Sequence, residues 1–372
     1  MEGLETLRQV RADLKRSFVQ RDREVDGLLI GLLARQHVLL LGPPGTAKSL
    51  LARRLCGALT DARYFEWLLT KFTTPEEVFG PVDLAALEQG RYQRVTAQKL
   101  PEAEVVFLDE IFKANSAILN ALLTVLNERR FHQGSQMLEV PLETLVAASN
   151  ELPEEEELRA LLDRFLLRFQ VGYVDDAGFQ ALLRISTDEP SACLTQKDLE
   201  QLRRTVDQTE IPDSIIHDLG RVRHQLFAEA IFPSDRRFRL SLDVLRAAAV
   251  LQGRTEVVTA DLHWLAHVLW TDPEDQPKVE AVLNQLARGF EDEARKISGL
   301  AREVFSYAQR DWPDAQSRAR AALEAHTKLH ELSERLAGMV KEAEQHGRDA
   351  GRLSQLRNEI ESMQASLLGA AN

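Results

Sequence analysis

The stretch from His37 to Leu55 reads HVLLLGPPGTAKSLLARRL and sets a lysine beside a serine just past a glycine-rich turn. That pairing can bind phosphate. Lys48 can place a positive charge near the β/γ oxygens of a nucleotide, and Ser49 can ligate magnesium. The loop of Gly42, Pro43, Pro44, Gly45, Thr46, Ala47, Lys48, Ser49 and Leu50 would cradle the phosphates at a helix start, where backbone N–H groups are free. The pattern G-x-x-x-x-G-K-[ST] departs at Ala47, which stands where the second glycine is expected. One methyl in the first turn of a helix is a mild change. About sixty residues further on, EVVFLDE ends an apolar run in two carboxylates. At the carboxyl edge of a parallel sheet Asp109 can hold the magnesium and Glu110 can polarise the attacking water. An acidic pair at a strand end is otherwise an ordinary loop feature, and the phosphate loop before it is what makes it half of a nucleotide site. Asn150 follows another apolar strand, where its amide can meet a γ-phosphate or orient the water, or simply form a turn. Phosphoryl transfer also needs positive charge against the developing oxygens, often from a neighbouring subunit. Arg129, Arg130, Arg164, Arg168 and Arg236 are the open candidates.

These groups need a frame to position them. Val38 to Leu41 reads as a buried strand, Gly42 to Gly45 as a forced turn, and the residues from Lys48 onward as a helix. Further strands are expected over 62–68, 104–110, 144–149 and 169–174, with helices over 116–128 and 159–167 between them. Two helices precede the first strand, and hairpins are expected around Gly90 and Gly134. Thr74-Pro75-Glu76-Glu77 is a good helix start. Apolar strands alternating with helices give an α/β fold with a parallel sheet covered on both faces.

Beyond residue 175 the strand signals stop. Helices are expected over 176–185, 195–208, 212–230, 234–252 and 259–270, with Thr195 and Thr259 as N-caps. The stretch 272–277 reads as a linker. After it Val279, Leu283, Leu286, Phe290, Ile297 and Val304 recur at near-heptad spacing. So do Ala325, Leu329, Leu332, Leu336, Met339 and Ala343, and then Leu353, Leu356, Ile360, Met363 and Leu367. Breaks at Trp312-Pro313 and at Gly347 and Gly351 make this an antiparallel three-helix bundle. The expected domains are therefore 1–174, 175–272 and 278–372.

The chain has 372 residues, 44% hydrophobic and 28% charged, the balance of an ordinary soluble protein. Its formal net charge of −12 argues against a broad nucleic-acid surface, which rests on basic patches. Cys56 and Cys193 lack metal-ligand spacing and read as small buried hydrophobes in a reducing compartment. No apolar run is long enough to span a bilayer, and no basic-then-apolar leader opens the sequence. The expected location is the cytoplasm.

In their order and spacing GPPGTAKS, VVFLDE, AASN, LLDRF and SDRR resemble the MoxR branch of AAA+ ATPases. GPPGTAKSLLARRL, TKFTTPEEVFGP, LPEAEVVFLDEI and VAASNELPE look especially like its RavA (regulatory ATPase variant A) subfamily. The likeness covers roughly residues 1–270, and the family too carries an alanine before the loop lysine. It implies a five-stranded αβα nucleotide domain followed by an all-helical lid. It also implies a homo-oligomeric ring, usually hexameric, that binds ATP and Mg2+ between neighbours. By position Asn150 would be the sensor-one residue, Arg164 the trans-acting arginine and Arg236 the sensor-two arginine. The hairpins around Gly90 and Gly134 would face the ring pore. A partner with a von Willebrand factor A (vWA) domain is expected. RavA-like proteins can carry a small β-rich module that docks a lysine decarboxylase. No strand-rich segment interrupts residues 278–372, so that binding is not carried over.

The function expected is an ATP-hydrolysing ring that remodels or activates a partner protein in the manner of a chaperone. An ATP-assembled scaffold is the alternative. A nucleic-acid motor of the MCM type is disfavoured by net acidity, since the Gly90 insert offers only Arg91, Arg94 and Lys99.

Overall fold

The computed structural model describes residues 2–134, 136–153, 156–184, 192–345 and 350–369. Ile185, Gly347 and the side chains of Leu286, Phe290 and Ala343, all used in the sequence reading, lie outside what is described.

The described residues form seven strands: β1 (His37–Leu41), β2 (Tyr64–Leu68), β3 (Val105–Asp109), β4 (Arg130–Gln133), β5 (Gln136–Glu139), β6 (Thr144–Ser149) and β7 (Phe165–Gln170). Five of them form one parallel sheet in the order β2-β3-β6-β1-β7, while β4 and β5 make a separate antiparallel hairpin. Strands β1, β3, β6 and β7 are buried along nearly their whole length, as an apolar run in a covered parallel sheet must be. Strand β2 is a half-covered edge whose Glu66 accepts from Arg53 at 2.8 Å.

Fourteen α-helices accompany them among the described residues. Before the sheet and along its near connections run α1 (Glu2–Arg16), α2 (Asp22–Leu33), α3 (Lys48–Gly57), α4 (Pro75–Phe79), α5 (Leu84–Glu88), α6 (Ser116–Glu128) and α7 (Glu156–Leu162). After it come α8 (Asp176–Leu182), α9 (Gln196–Gln208), α10 (Asp213–Ala228) and α11 (Asp235–Leu251). The chain closes with α12 (Gln276–Ala308), α13 (Ala315–Gln345) and α14 (Gly351–Gly369). Thr74 opens α4 and Thr195 opens α9, each in a reciprocal capping box that satisfies two end donors.

Several readings of the sequence need correction. The helix expected over 159–167 stops at Leu162, and Phe165–Gln170 is the strand instead. FLLRF is a run of apolar residues with no diagnostic period, and the turn at Asp163 and Arg164 decides its state. Thr259 does not cap an α-helix: Thr259–His267 is a 3-10 segment, where Asp261 accepts the Val258 N–H at 2.9 Å. The Gly90 region is no two-stranded hairpin, because α5 fills its tip and only Val82 and Arg94 bridge. Cys193 is exposed rather than buried. The stretch 272–277 is also not a loose linker, since Gln276 already starts α12 and accepts from Gln170 at 2.8 Å.

By compactness the chain divides into residues 1–211 with 230–279, and residues 212–229 with 280–372. These limits differ from the expected 174 and 272. In the first unit α9 and α11 pack on α1 and α2, so the helices after the sheet join those before it. In the second unit Ile297 and Ala301 of α12, Leu329 and Leu336 of α13, and Leu353 and Ile360 of α14 share one core. Helices α13 and α14 run antiparallel, with His326 beside Gln364 and Ser333 donating to Glu361.

Two histidines in the first unit are buried and uncharged. His37 accepts the Leu145 N–H on Nδ1 at 3.1 Å, and burial, reinforced by Arg129, holds its pKa well below the usual value. Burial likewise pushes His267, stacked on Phe169 at 4.4 Å, down to about 3. The unfolded chain protonates near pH 6.5, where the folded chain refuses the proton. Stability is therefore full above pH 6.5 and falls as the pH drops from there towards 3. Urea midpoints should fall between pH 7 and pH 5, and His267→Phe should make that slope shallower; an unchanged slope would exclude His267 as a contributor.

Candidate functional site

The C-terminal ends of three adjacent strands, β3, β6 and β1, bring the sequence-predicted groups together. Gly42 follows β1, Asn150 follows β6, and β3 ends on Asp109 with Glu110 next. The crossover from β1 leads to β2 on one side, and β6 crosses over β1 to β7 on the other. Ligands of open parallel sheets bind at such a switch.

The phosphate loop is closely braced. The Gly42 N–H donates to the Ser149 carbonyl at 3.0 Å, and a Cβ at Gly42 would stand 2.0 Å from the Val171 oxygen. Only glycine fits there. Thr46 donates its hydroxyl to the Pro43 carbonyl at 2.9 Å. Lys48 is buried, and its ammonium donates to the carbonyls of Gly42 and Pro43, both at 2.7 Å. Burial lowers its pKa, while Asp109 and Glu110 push it back up, which puts both carboxylates within electrostatic reach of the loop. Ser49 is half-buried beside it and Leu50 is exposed.

Ala47 is not in a helical first turn, as the sequence reading had it. Its φ of 69° and ψ of 20° are left-handed, and its carbonyl accepts the Leu51 N–H at 2.9 Å as the cap of α3. The position still demands the conformation for which glycine is the usual choice, and an alanine there costs about 1–2 kcal/mol.

On the acidic side Glu110 is itself left-handed, at φ 53°, and donates its N–H to Asp109 Oδ1 at 3.0 Å. Asn150 donates its amide to Glu110 Oε1 at 2.7 Å. Lys113 meets Glu110 Oε2 at 3.2 Å. Sequence reasoning missed Lys113, although its place three residues on, in a tight turn, was a usable signal. Among the described residues no group of three or more His, Cys, Asp or Glu side chains could hold a metal alone. The Ser49 hydroxyl and one Asp109 oxygen suit a hard cation that takes its other ligands from phosphates and water.

The candidate arginines separate into two kinds. Arg168 is buried and donates to the carbonyls of Phe165, Trp270 and Leu162 at 2.8–3.0 Å, so it is part of the core. Arg129 is held against His37 and the Arg35 carbonyl, and Arg130 lies exposed on β4. Arg164 and Arg236 instead meet at Asp163, at 3.5 and 3.3 Å. They stand where β7 begins: Phe165 pairs with His37, the first residue of β1. The loop follows the last residue of β1, so the length of the sheet, about 17 Å, separates these arginines from Lys48 in the same chain.

Beside the loop the exit of β7 is tied to the start of α2. Arg21 donates to the Gly172 carbonyl, and Gln20 exchanges two hydrogen bonds with Asp175. Tyr173, Phe179 and Leu183 remain exposed there.

Comparison with known proteins agrees with this fold. The family model for the MoxR domain in the MoxR-vWA-beta-propeller ternary systems matches residues 5–206, and one for an AAA lid domain matches residues 214–283. Among the relatives, an uncharacterised protein of Methanocaldococcus jannaschii is 39% identical over 82% of this chain and 81% of its own length. The chaperone MoxR1 of Mycobacterium tuberculosis is 28% identical over 69% of this chain and 72% of its own. A crystal structure from Cytophaga hutchinsonii, provisionally named an ATPase, superposes with a TM-score of 0.62 at 18% identity. It covers 77% of this chain and 94% of that one, and it shows the same fold.

The left-handed alanine can be tested directly. Ala47→Gly should raise stability by about 1 kcal/mol, read as a higher urea midpoint, because it removes the backbone strain. An equal or lower midpoint would mean that the loop tolerates alanine without cost.

Proposed function

The chain belongs to the MoxR-type AAA+ ATPases, and on that footing we propose that it forms a ring that hydrolyses ATP between neighbouring copies and remodels or activates a protein partner. Lys48 and the backbone of Gly42 to Leu50 bind the β/γ-phosphates, and Ser49 with Asp109 holds Mg2+. The lysine gives up its loop carbonyls for phosphate oxygens as it does so. Glu110 polarises the attacking water, and Asn150 keeps that carboxylate in line. Tyr173, Phe179 and Leu183 border the base.

One observation carries this reading. Lys48, Asp109, Glu110 and Asn150 gather at one edge of the sheet, while Arg164 and Arg236 gather at the opposite edge. Arginines that cannot reach their own loop serve the loop of the next copy, which is what a ring with shared sites requires. We take the ring to be hexameric and cytoplasmic; no helix among the described residues is long and apolar enough to cross a membrane.

A vWA-domain partner fits the ternary systems after which the matched family model is described. That model names no RavA protein, so the finer likeness to the RavA type rests on the loop and strand motifs alone. The two inserts support a protein client. They touch, since a Cβ on Gly134 would meet the Tyr92 carbonyl and Gln133 donates to the Arg94 carbonyl at 2.6 Å. Together they expose Leu84, Leu87, Tyr92, Val95 and Met137, an apolar surface suited to unfolded or flexible chain. Two of their cations are held inward. Arg94 donates to the Gly80 carbonyl and to Glu76, and Lys99 to the Glu77 carbonyl, which speaks against a nucleic-acid track. In this reading residues 1–174 bind nucleotide, 175–272 act as the lid, and 278–372 either brace the ring or dock the partner.

Glu110→Gln should bind ATP normally yet turn it over at least about a hundredfold more slowly. Arg164→Ala should behave likewise by itself. Mixed assemblies of the two variants should recover activity, because some interfaces then join an intact Glu110 to an intact Arg164. Absence of recovery in assemblies shown to be mixed would remove Arg164 from the neighbour's site.

A further inference from the structure

We propose that Asp163 is the positioning residue that sets Arg164 and Arg236 as one unit for the neighbouring subunit's phosphates. The inference rests on the trans reading of those two arginines given above.

Asp163 sits in the turn between α7 and β7 and meets three guanidinium groups: Arg236 at 3.3 Å, Arg237 at 3.5 Å and Arg164 at 3.5 Å. The three are not alike. Arg237 is buried and donates to the carbonyls of Val268 at 2.7 Å, Leu166 at 2.7 Å and Phe165 at 3.3 Å. Its other donors are thus committed to backbone, and it fixes the Asp163 carboxylate against the start of β7. Among the described residues Arg164 and Arg236 have no such anchorage. Arg236 is exposed with Asp163 as its partner, and Arg164 Nε is buried without a hydrogen-bond partner among the described residues.

The two outward arginines also come from different parts of the chain. Arg164 precedes β7, whereas Arg236 lies in the first turn of α11, in the region matched by the lid model. Asp163 is the carboxylate that joins them. It offsets one of three positive charges and leaves an excess of two, which suits a polyphosphate approaching from outside. Without it Arg164 and Arg236 would repel each other, and their spacing would no longer be defined. Like charges in one cluster separate unless an anion lies between them.

The test uses the full chain and Asp163→Asn, which removes the charge and keeps the size. By itself this variant should keep its assembly size and its KM within about twofold, while kcat falls about tenfold or more, the scale of losing a positioned donor. Complementation then assigns the side of the interface on which Asp163 acts. Mixed with Glu110→Gln it should recover activity, as the Arg164→Ala mixture does. Mixed with Arg164→Ala it should recover none, because both lesions remove the same half of the site. A purely local brace would not sort in this way. Recovery in that second mixture, or a wild-type kcat, would overturn the proposal. If Glu110→Gln and Arg164→Ala fail to complement each other, the trans reading itself falls and takes this inference with it. Should Asp163→Asn fail to assemble, Asp163→Glu carries the same mixtures, since it keeps the charge and moves it by one methylene. It should lower kcat with KM unchanged and sort with Arg164→Ala; a wild-type kcat would again overturn the proposal.

Discussion

A sheet whose strands all point one way has two unlike edges, and this directionality governs everything else in the first unit. At the edge where the strands end, backbone N–H groups and short turns face outward, and the loop after β1, the carboxylates after β3 and the amide after β6 fall within reach of one another. At the edge where they begin, β7 presents the Asp163 turn and receives the first turn of α11. One chain thus carries a phosphate-loop set and an arginine set, and its own sheet keeps them apart. An antiparallel sheet would have mixed the two sets at both edges.

Buried arginines hold that geometry in place. Arg168 and Arg237 each spend their donors on backbone carbonyls around β7 and the segment before α12. Arg203 of α9 does the same for the Leu32 carbonyl and pairs with Glu143. Burial lowers the pKa of all three, Arg237 to about 10. Taking a guanidinium out of water is costly, and several charge-assisted hydrogen bonds are needed to offset it. The helices after the sheet are therefore joined to it by directional contacts as well as by apolar packing.

How legible this was depends on whether the signal is contiguous. The phosphate loop, EVVFLDE and TLVAAS lie on single elements, and the residues there stand where the sequence put them. The five-stranded sheet and the C-terminal helices were readable for the same reason, as were the capping threonines at 74 and 195. Strand β7 was misread because a fully buried strand and a buried helix look the same over six residues. The left-handed φ of Ala47 was invisible, since residue type carries no dihedral angle. Asp163 escaped notice because its partners lie 73 and 74 residues away, and only the fold brings them together. Arg164 and Arg168 could not be told apart by type, whereas burial separates them at once.

Strand β2 has a consequence of its own. It is the outer strand at one side of the sheet, and an outer strand offers unpaired backbone groups to any passing chain. Here Glu66 sits at its centre and is matched to Arg53 of α3. A second strand laid alongside would have to desolvate that charged pair, so the flank resists fusion with another sheet. A concentrated solution of the chain is thereby guarded on this flank against drifting into aggregation.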